Sequence, residues 1–348
     1  MAYDRIIIEF NLHKKRSVKQ LKSMNKKTIK LSLISFCVLF TNISTSNSAE
    51  LVPDFYNLDF LRNSIAVEKT LKRRGFFEVN FKTHDNLTIN AIMLDQRKTR
   101  NVSATIISFP GFFPGDKEGM STLYAMLQDQ PYNFIFIDSR GHGKSEGELL
   151  TFQGIKHYGE KEYLDMTATI KFIAEYNKKH QISQNIIIHG LCAGAFHTAK
   201  AVADLKYSDP KSYKCVKGII LDSAWPSIVD IVDTLVEAES RERCKSYGVP
   251  YLQPYLAYIM QGVYNTFFKY WHRKQIPLNK AISEIDQPIF FIHAEQDDYV
   301  PLHNVHPLIK VAKNPSTWFV KDSSHVNNHL QHKEKYTDQM QNFIQSVL

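Results

Sequence analysis

Ile186-Ile187-Ile188-His189-Gly190-Leu191-Cys192-Ala193-Gly194-Ala195 decides the fold. A run of β-branched residues, the pattern of a buried strand, passes straight into Gly-x-Cys-x-Gly, and small residues then open a helix. A side chain displayed on so sharp a turn has a strained backbone. The positions two before and two after it must therefore be small, and Gly190 and Gly194 are. The turn sets the Cys192 thiol at a helix N-terminus, where the dipole favours negative charge, and leaves the Ala193 N–H to hold an oxyanion. Taken alone, the same residues also describe a buried strand ending in a glycine turn with a structural cysteine. The rest of the chain separates the two.

Strand and helix patterns alternate on both sides of this stretch, as a doubly wound sheet requires. Residues 76–82 and 87–94 alternate around His84-Asp85-Asn86 and predict an antiparallel hairpin. Short apolar runs at 104–109, 134–137, 185–189, 218–221, 288–293 and 317–320 predict buried parallel strands. Helical patterns fall at 121–128, 156–176, 193–205, 302–312 and 329–347, and residues 50–74 predict an exposed helical arm. The alternation stops at 225–285, a connection far longer than a simple unit needs. It is rich in rings (Tyr251, Tyr255, Tyr258, Tyr264, Phe268 and Trp271 among them) and predicts a helical cap over the carboxyl ends of the strands, where open α/β sheets take ligands. Those rings either line an apolar acyl pocket or pack the cap to the core. The expected organisation is a leader at 1–49, a core at 50–224 and 286–348, and the cap at 225–285.

Four further motifs stand at strand ends. Ser108-Phe109-Pro110-Gly111-Phe112-Phe113 follows the third strand, and the Phe112 N–H, after a glycine that permits close approach, is the candidate second oxyanion donor. Asp138-Ser139-Arg140-Gly141-His142-Gly143-Lys144-Ser145 follows the fourth and reads as a polar turn bracing the site's loops rather than as a source of the base. His293-Ala294-Glu295-Gln296-Asp297-Asp298-Tyr299-Val300-Pro301 offers an orienting acid, Asp297, with Asp298 a solvated turn residue. Asp222, at the end of the sixth strand, competes for the same role. Lys321-Asp322-Ser323-Ser324-His325 follows the last strand and offers His325 as general base, with His329 as the fallback. His189, His197, His303 and His306 read as strand-end or helix-surface residues, and no set of side chains has metal-ligand spacing.

The order cysteine, acid, histidine across these motifs resembles the α/β-hydrolase superfamily over about residues 75–345. The 138–145 motif and the cap position are similar to the monoglyceride-lipase and serine-aminopeptidase branch. A cysteine at the turn is similar to dienelactone hydrolases and to some acyltransferases such as polyhydroxyalkanoate synthases. Cys192 replaces that branch's serine, and Pro110 stands where many relatives carry histidine. The resemblance implies a mostly parallel, doubly wound sheet with a helical cap inserted after the sixth strand. It favours Asp297 over Asp222, because in such loops the acid stands three residues before Val-Pro. It also implies a thioester acyl-enzyme on Cys192, formed from a small-molecule ester or thioester without a cofactor. Amides suit this chemistry less, because a thiolate leaves more readily than an amine anion. Two alternatives stay open: an acyltransferase passing on the same acyl group, and a catalytically silent binding protein with this fold.

The chain has 348 residues and a formal charge of +8. Nine of its 43 basic and two of its 35 acidic residues fall in 1–49, leaving a remainder of 34 and 33 that is nearly neutral. A nucleic-acid partner is therefore not expected. Asn25-Lys26-Lys27-Thr28-Ile29-Lys30, the short apolar run 31–40 and the small, polar run 41–49 have the three parts of a signal peptide, with Met24 as the expected start and cleavage after Ser48 or Ala49. The protein is thus expected to be exported, with no membrane span after leader removal. Beyond the leader only Cys192, Cys215 and Cys244 remain. Cys215 and Cys244 fall at opposite ends of a strand more than ~10 Å long, out of disulfide reach.

Overall fold

The computed structural model describes residues 54–56, 61, 63–112, 115–149 and 151–348, and the expected leader, with its start and cleavage site, lies outside them. The alternating pattern at its start forms a hairpin of β1 (Phe77–Lys82) and β2 (Thr88–Leu94). Thr83 closes the turn by donating from Oγ1 to Asp85 and accepting from the Leu87 N–H. The remaining strands are β3 (Ala104–Phe109), β4 (Tyr132–Ile137), β5 (Ile186–Leu191), β6 (Val216–Asp222), β7 (Ile289–Ala294) and β8 (Pro315–Val320). They form one eight-stranded sheet in the order β1-β2-β4-β3-β5-β6-β7-β8. Only β2 runs against its neighbours; every pair from β4 to β8 is parallel. Strands β3, β4, β5 and β7 are buried along their whole length, so their near-continuous apolar sequences face helices on both sides.

This strand order fixes where a site can be. From β3 the chain crosses to β4 on one side, and β5 lies on the other, paired with β3 from Thr105↔Ile186 to Phe109↔Gly190. The crevice beyond the carboxyl ends of β3 and β5 is therefore the topological switch point. Gly111-Phe112 and Cys192 are the segments that leave those two ends.

Helix α1 (Ser64–Arg73) corrects one expectation. It is not an exposed arm: Val67 and Leu71, four residues apart and hence on one face, are fully buried in the same cluster as Phe76, Tyr124 and Phe136. Asn63 caps it by accepting from the Ala66 N–H. Helix α2 (Ser121–Leu127) follows the loop after β3. The single helix expected over 156–176 is two, α3 (Phe152–His157) and α4 (Tyr163–Lys179). Gly159 separates them at φ +88°, a conformation that only glycine adopts without strain. Helix α5 (Ala193–Ser208) leads from Cys192 and α6 (Pro210–Cys215) precedes β6.

Between β6 and β7 the chain forms α7 (Ile228–Ser246), α8 (Gln253–Phe267), α9 (Lys269–His272) and α10 (Leu278–Glu284). Of these, α10 packs on α5 and buries Leu278 and Ile282, so it belongs with the helices that flank the sheet. Most rings in this insertion face solvent: Tyr247, Tyr251, Tyr255, Tyr258 and Tyr270 are exposed, while Tyr264 and Phe268 are buried. The 302–312 pattern resolves into a 3₁₀ turn, Leu302–Asn304, and α11 (His306–Val311). The 329–347 pattern becomes α12 (Asn328–Gln331) and α13 (Lys333–Val347). No helix among the described residues is long and apolar enough to cross a membrane. Cys192, Cys215 and Cys244 are free thiols.

Because Leu71 is a core residue, Leu71→Ala should lower unfolding free energy by about 2–5 kcal/mol, the usual loss for a buried leucine. Urea denaturation measures this; a loss near zero would return α1 to solvent.

Candidate active site

The geometry at Cys192 follows from crowding. Cys192 has φ 53° and ψ −114°, so a non-glycine residue stands in strained backbone between strand and helix. A Cβ on Gly190 would lie 2.6 Å from the Gly194 carbonyl oxygen, and one on Gly194 would lie 2.2 Å from the Phe109 carbonyl oxygen. Neither position admits a side chain without displacing β3 or α5. The Cys192 N–H donates to the Asp222 carbonyl at 2.8 Å, which ties the turn to the end of β6. Ala193 is the first residue of α5, where a helix amide has no intrahelical acceptor.

Three side chains meet here. The Nε2 atom of His325 lies 3.2 Å from the Cys192 Sγ, and its Nδ1 lies 2.7 Å from Asp297 Oδ2. Asp297 is held in turn by its own loop, because its Oδ1 accepts from the Tyr299 and Val300 N–H groups at 3.0 and 2.8 Å. That is the physical content of an acid three residues before Val-Pro: it caps the turn that presents it. The His325 ring lies under Tyr299, at 5.1 Å and 18° between planes. Burial works to lower the His325 pKa. The negative charge of Cys192, with the bonds to Asp297 and Cys192, outweighs it and holds the imidazole well above its ordinary value. The two groups that face its ring nitrogens thus both favour the protonated imidazole.

The competing acid is placed elsewhere. Asp222 accepts from Ser223 Oγ, Asn328 Nδ2 and Tyr336 Oη, each at 2.9 Å, and burial raises its pKa to about 6. It anchors α12 and α13, not the imidazole. His329 is also turned away, packed edge-on against Tyr336, and burial lowers its pKa to about 4. The Tyr336 hydroxyl continues to His189 Nε2 at 3.2 Å, and His189 Nδ1 to Ser108 Oγ at 2.9 Å. His189 and His197 are buried, which corrects the surface reading of His197.

The loop after β3 is braced as its neighbouring motif suggests. His142 Nε2 lies 2.8 Å from the Phe112 carbonyl oxygen, and burial pushes the imidazole below its usual value, so it is a neutral donor. Asp138 accepts from the Lys117 N–H and Nζ and from the Lys144 N–H, fastening both ends of the surrounding loops. Arg140 bridges Asp165 and Asp85. Gly111 lies against Cys192: a Cβ there would sit 3.5 Å from the Cys192 Cβ. Asp298, half exposed, pairs with Arg241 at the surface. Among the described residues no group of His, Cys, Asp and Glu could hold a metal ion.

Comparison with known proteins bears on the fold. An esterase from Pyrococcus furiosus superposes with a TM-score of 0.58 at 18% identity, covering 88% of this chain and 99% of the esterase. The α/β-hydrolase GrgF from a Penicillium species gives 0.56 at 16% identity over 78% of this chain and 98% of its own. A bacterial membrane phospholipase A gives 0.56 at 16% identity, over 83% and 93%. The fold is that of the α/β-hydrolases. No family model matches the sequence. An uncharacterized Bacillus subtilis protein, YqkD, is 23% identical over 223 residues, which span 64% of this chain and 65% of that protein.

Tyr158 is the residue that sequence reasoning missed. Its ring packs edge-on against Phe112 at 4.6 Å and its hydroxyl lies 3.2 Å from His197 Nε2. It sits at the end of α3, inside the segment expected to be an unbroken helix, and Gly159 was the signal that the chain turns there.

A pH effect follows from His329. Its folded pKa is about 4, below the unfolded value near 6.5, so the unfolded chain binds the proton more tightly. This group's contribution is harmless above about 6.5 and increasingly destabilising as pH falls towards 4. His329→Gln should therefore flatten the loss of stability between those limits, measured by urea midpoints; an unchanged slope would mean that His329 is not buried neutral.

Proposed function

We propose that this protein cleaves carboxylic esters or thioesters through an acyl-enzyme on Cys192. The reading is carried by one observation, the continuous line from Cys192 Sγ through His325 to Asp297 Oδ2 at the carboxyl end of β5. The fold it shares with an esterase, an α/β-hydrolase and a phospholipase A supports it.

In the first step the Cys192 thiolate attacks the substrate carbonyl carbon, and the carbonyl π-electron pair moves to oxygen. The Ala193 and Phe112 amides receive that oxyanion. As the intermediate collapses, the bond from carbon to the leaving oxygen or sulfur breaks, and His325 gives its proton to the departing atom. His325 is then neutral. It takes a proton from water as that water attacks the thioester, the carbon–sulfur bond breaks, and the acid product leaves with the thiolate–imidazolium pair restored. Asp297 keeps the Nδ1–H of His325 pointed at itself throughout, so that Nε2 always faces sulfur. Because an imidazolium is needed as acid, acylation should hold its rate to pH values well above the ordinary histidine range and fall only beyond them.

The test is intact mass spectrometry of the protein mixed with p-nitrophenyl esters and S-phenyl thioesters of short and medium acyl chains. Wild type should gain one acyl mass, mapped to Cys192, and Cys192→Ala should gain none while remaining folded. An adduct that decays only when an alcohol or amine is added would make the protein an acyltransferase. If the wild type acquires no adduct and turns over no acyl substrate, the enzyme reading fails and a binding protein replaces it. Asp297→Asn should lower turnover about 10⁴-fold, as in other triads, and Asp222→Asn much less; the reverse ranking would make Asp222 the acid. Export belongs to the same proposal and rests on the sequence at 25–49. The secreted chain should begin near Ala49 or Glu50, and N-terminal sequencing that finds residues 1–23 would contradict it.

A further inference from the structure

Two hydrogen-bonding contacts do not by themselves fix the His325 imidazole. Nδ1 lies 2.7 Å from Asp297 Oδ2 and Nε2 lies 3.2 Å from Cys192 Sγ. These contacts leave the ring in roughly opposite directions, so it is free to tip about the line that joins its nitrogens. A flat group against one face stops that motion. Tyr299 is such a group: its ring stacks on the imidazole with centroids 5.1 Å apart and 18° between planes.

Tyr299 is itself held from two directions. Its N–H donates to Asp297 Oδ1 at 3.0 Å, so ring and acid belong to one turn. From the other side α7 of the insertion reaches the same turn. Thr234 Oγ1 donates to the Tyr299 carbonyl at 2.8 Å, the Tyr299 hydroxyl is hydrogen-bonded to Glu239, and Arg241 pairs with the adjoining Asp298. Thr234 and Arg241 are two turns apart on one face of α7. Burial, with the charges of Glu239, Glu242 and Asp298, keeps the phenol well above its usual range, so the ring offered to His325 is neutral. The face of such a ring carries partial negative charge and attracts a cation within about 6 Å of its centre.

We propose that Tyr299 is a positioning residue for the reaction: its ring is the platform that keeps the His325 imidazole in line with Cys192 and favours its charged form, and α7 of the insertion holds that platform in place. The proposal rests on the acyl-enzyme reading above. No bond forms or breaks at Tyr299. After His325 has passed its proton to the leaving atom, Nε2 has nothing left to donate, and the bond to Asp297 together with the stack keeps it aimed at the site until water arrives. The ionisable groups that act on His325 are Cys192 and Asp297 at its nitrogens, Asp222 at the end of β6 and His293 on β7. None of these is altered by a substitution at 299, so a series of variants there reads the ring.

Wild type, Tyr299→Phe and Tyr299→Leu are compared by two readouts: the ¹⁵N titration of His325, which needs no substrate, and the pH profile of acylation by a p-nitrophenyl ester. Tyr299→Leu should move the titration, and with it the upper limb of the acylation profile, to lower pH by roughly 0.5 unit or more, the equivalent of one ring–cation contact. It should also lower the plateau rate of acylation about tenfold with little change in KM, as a reacting group loosened within its site does. Tyr299→Phe keeps the ring and loses only the bond to Glu239, and it should restore both values. An unchanged titration in Tyr299→Leu overturns the proposal. So does a Tyr299→Phe that behaves like Tyr299→Leu, because the effect would then lie in the tie to Glu239. If Tyr299→Leu does not fold, 3,4,5-trifluorophenylalanine at position 299 replaces it, since it keeps the shape of phenylalanine and weakens the charge on the ring face. Its His325 should titrate below that of Tyr299→Phe, and equal titrations overturn the proposal. A wild type that forms no acyl adduct overturns the acyl-enzyme reading instead, while the titration still decides the role of the ring, so the two failures are distinguishable.

Discussion

The close approach of the β5–α5 turn to the end of β3 is the constraint on which the other parts depend. Gly194 lies so near the Phe109 and Pro110 carbonyls that no Cβ fits, and Gly190 is equally closed by the backbone of α5. These two contacts press the helix start against the loop carrying Phe112. They thereby place Cys192, the Ala193 amide and Gly111-Phe112 around one point. The strained backbone at Cys192 is held because the Cys192 N–H is bonded to the end of β6 and the flanking strands are buried. Rigidity here fixes the positions of the Cys192 thiol and of the backbone groups around it relative to one another.

The second half of the site comes from a different part of the chain, and a buried polar chain brings it into register. Ser108 on β3, His189 on β5, Tyr336 on α13 and Asp222 on β6 are linked in sequence by hydrogen bonds, and Asp222 also holds Asn328. Asn328 stands three residues after His325. The loop bearing the imidazole is thus fixed to the same strands that carry Cys192. Every side chain in it is hydrogen-bonded, with Asn328 Oδ1 the one atom of the network lacking a partner among the described residues, and such pairing is what makes a buried network tolerable. Asp222 contributes as an anchor for this loop, whereas Asp297, capping its own turn, orients the imidazole.

Much of this was legible in the sequence because it is local. Strand runs such as 186–188 and 289–292 are buried by composition alone, and the Gly-x-Cys-x-Gly turn follows from steric need. Asp297 and His325 were legible as residues just past strand ends. Long-range features were not. The burial of α1 depends on Phe76, Tyr124 and Phe136, which no local pattern connects to Val67 and Leu71. The break at Gly159 was masked by helical periodicity on both sides, and with it the position of Tyr158. His197 read as a surface residue because its helix is nearly all buried, so its face could not be told from spacing. Exposure of Tyr251, Tyr255 and Tyr258 reversed the simplest view of the insertion, since composition reports that rings are present but not which way they face.

The central claim is that His325 carries its proton at neutral pH because it stands between Cys192 and Asp297. Direct observation of its ring nitrogens by ¹⁵N nuclear magnetic resonance across a pH titration tests it, in wild type and in Cys192→Ala. The expected wild-type His325 is doubly protonated at neutral pH and titrates well above the ordinary histidine range, and Cys192→Ala brings that titration downward by removing the sulfur that faces Nε2. A His325 that is neutral at pH 7 in the wild type and indifferent to the loss of Cys192 would contradict the account.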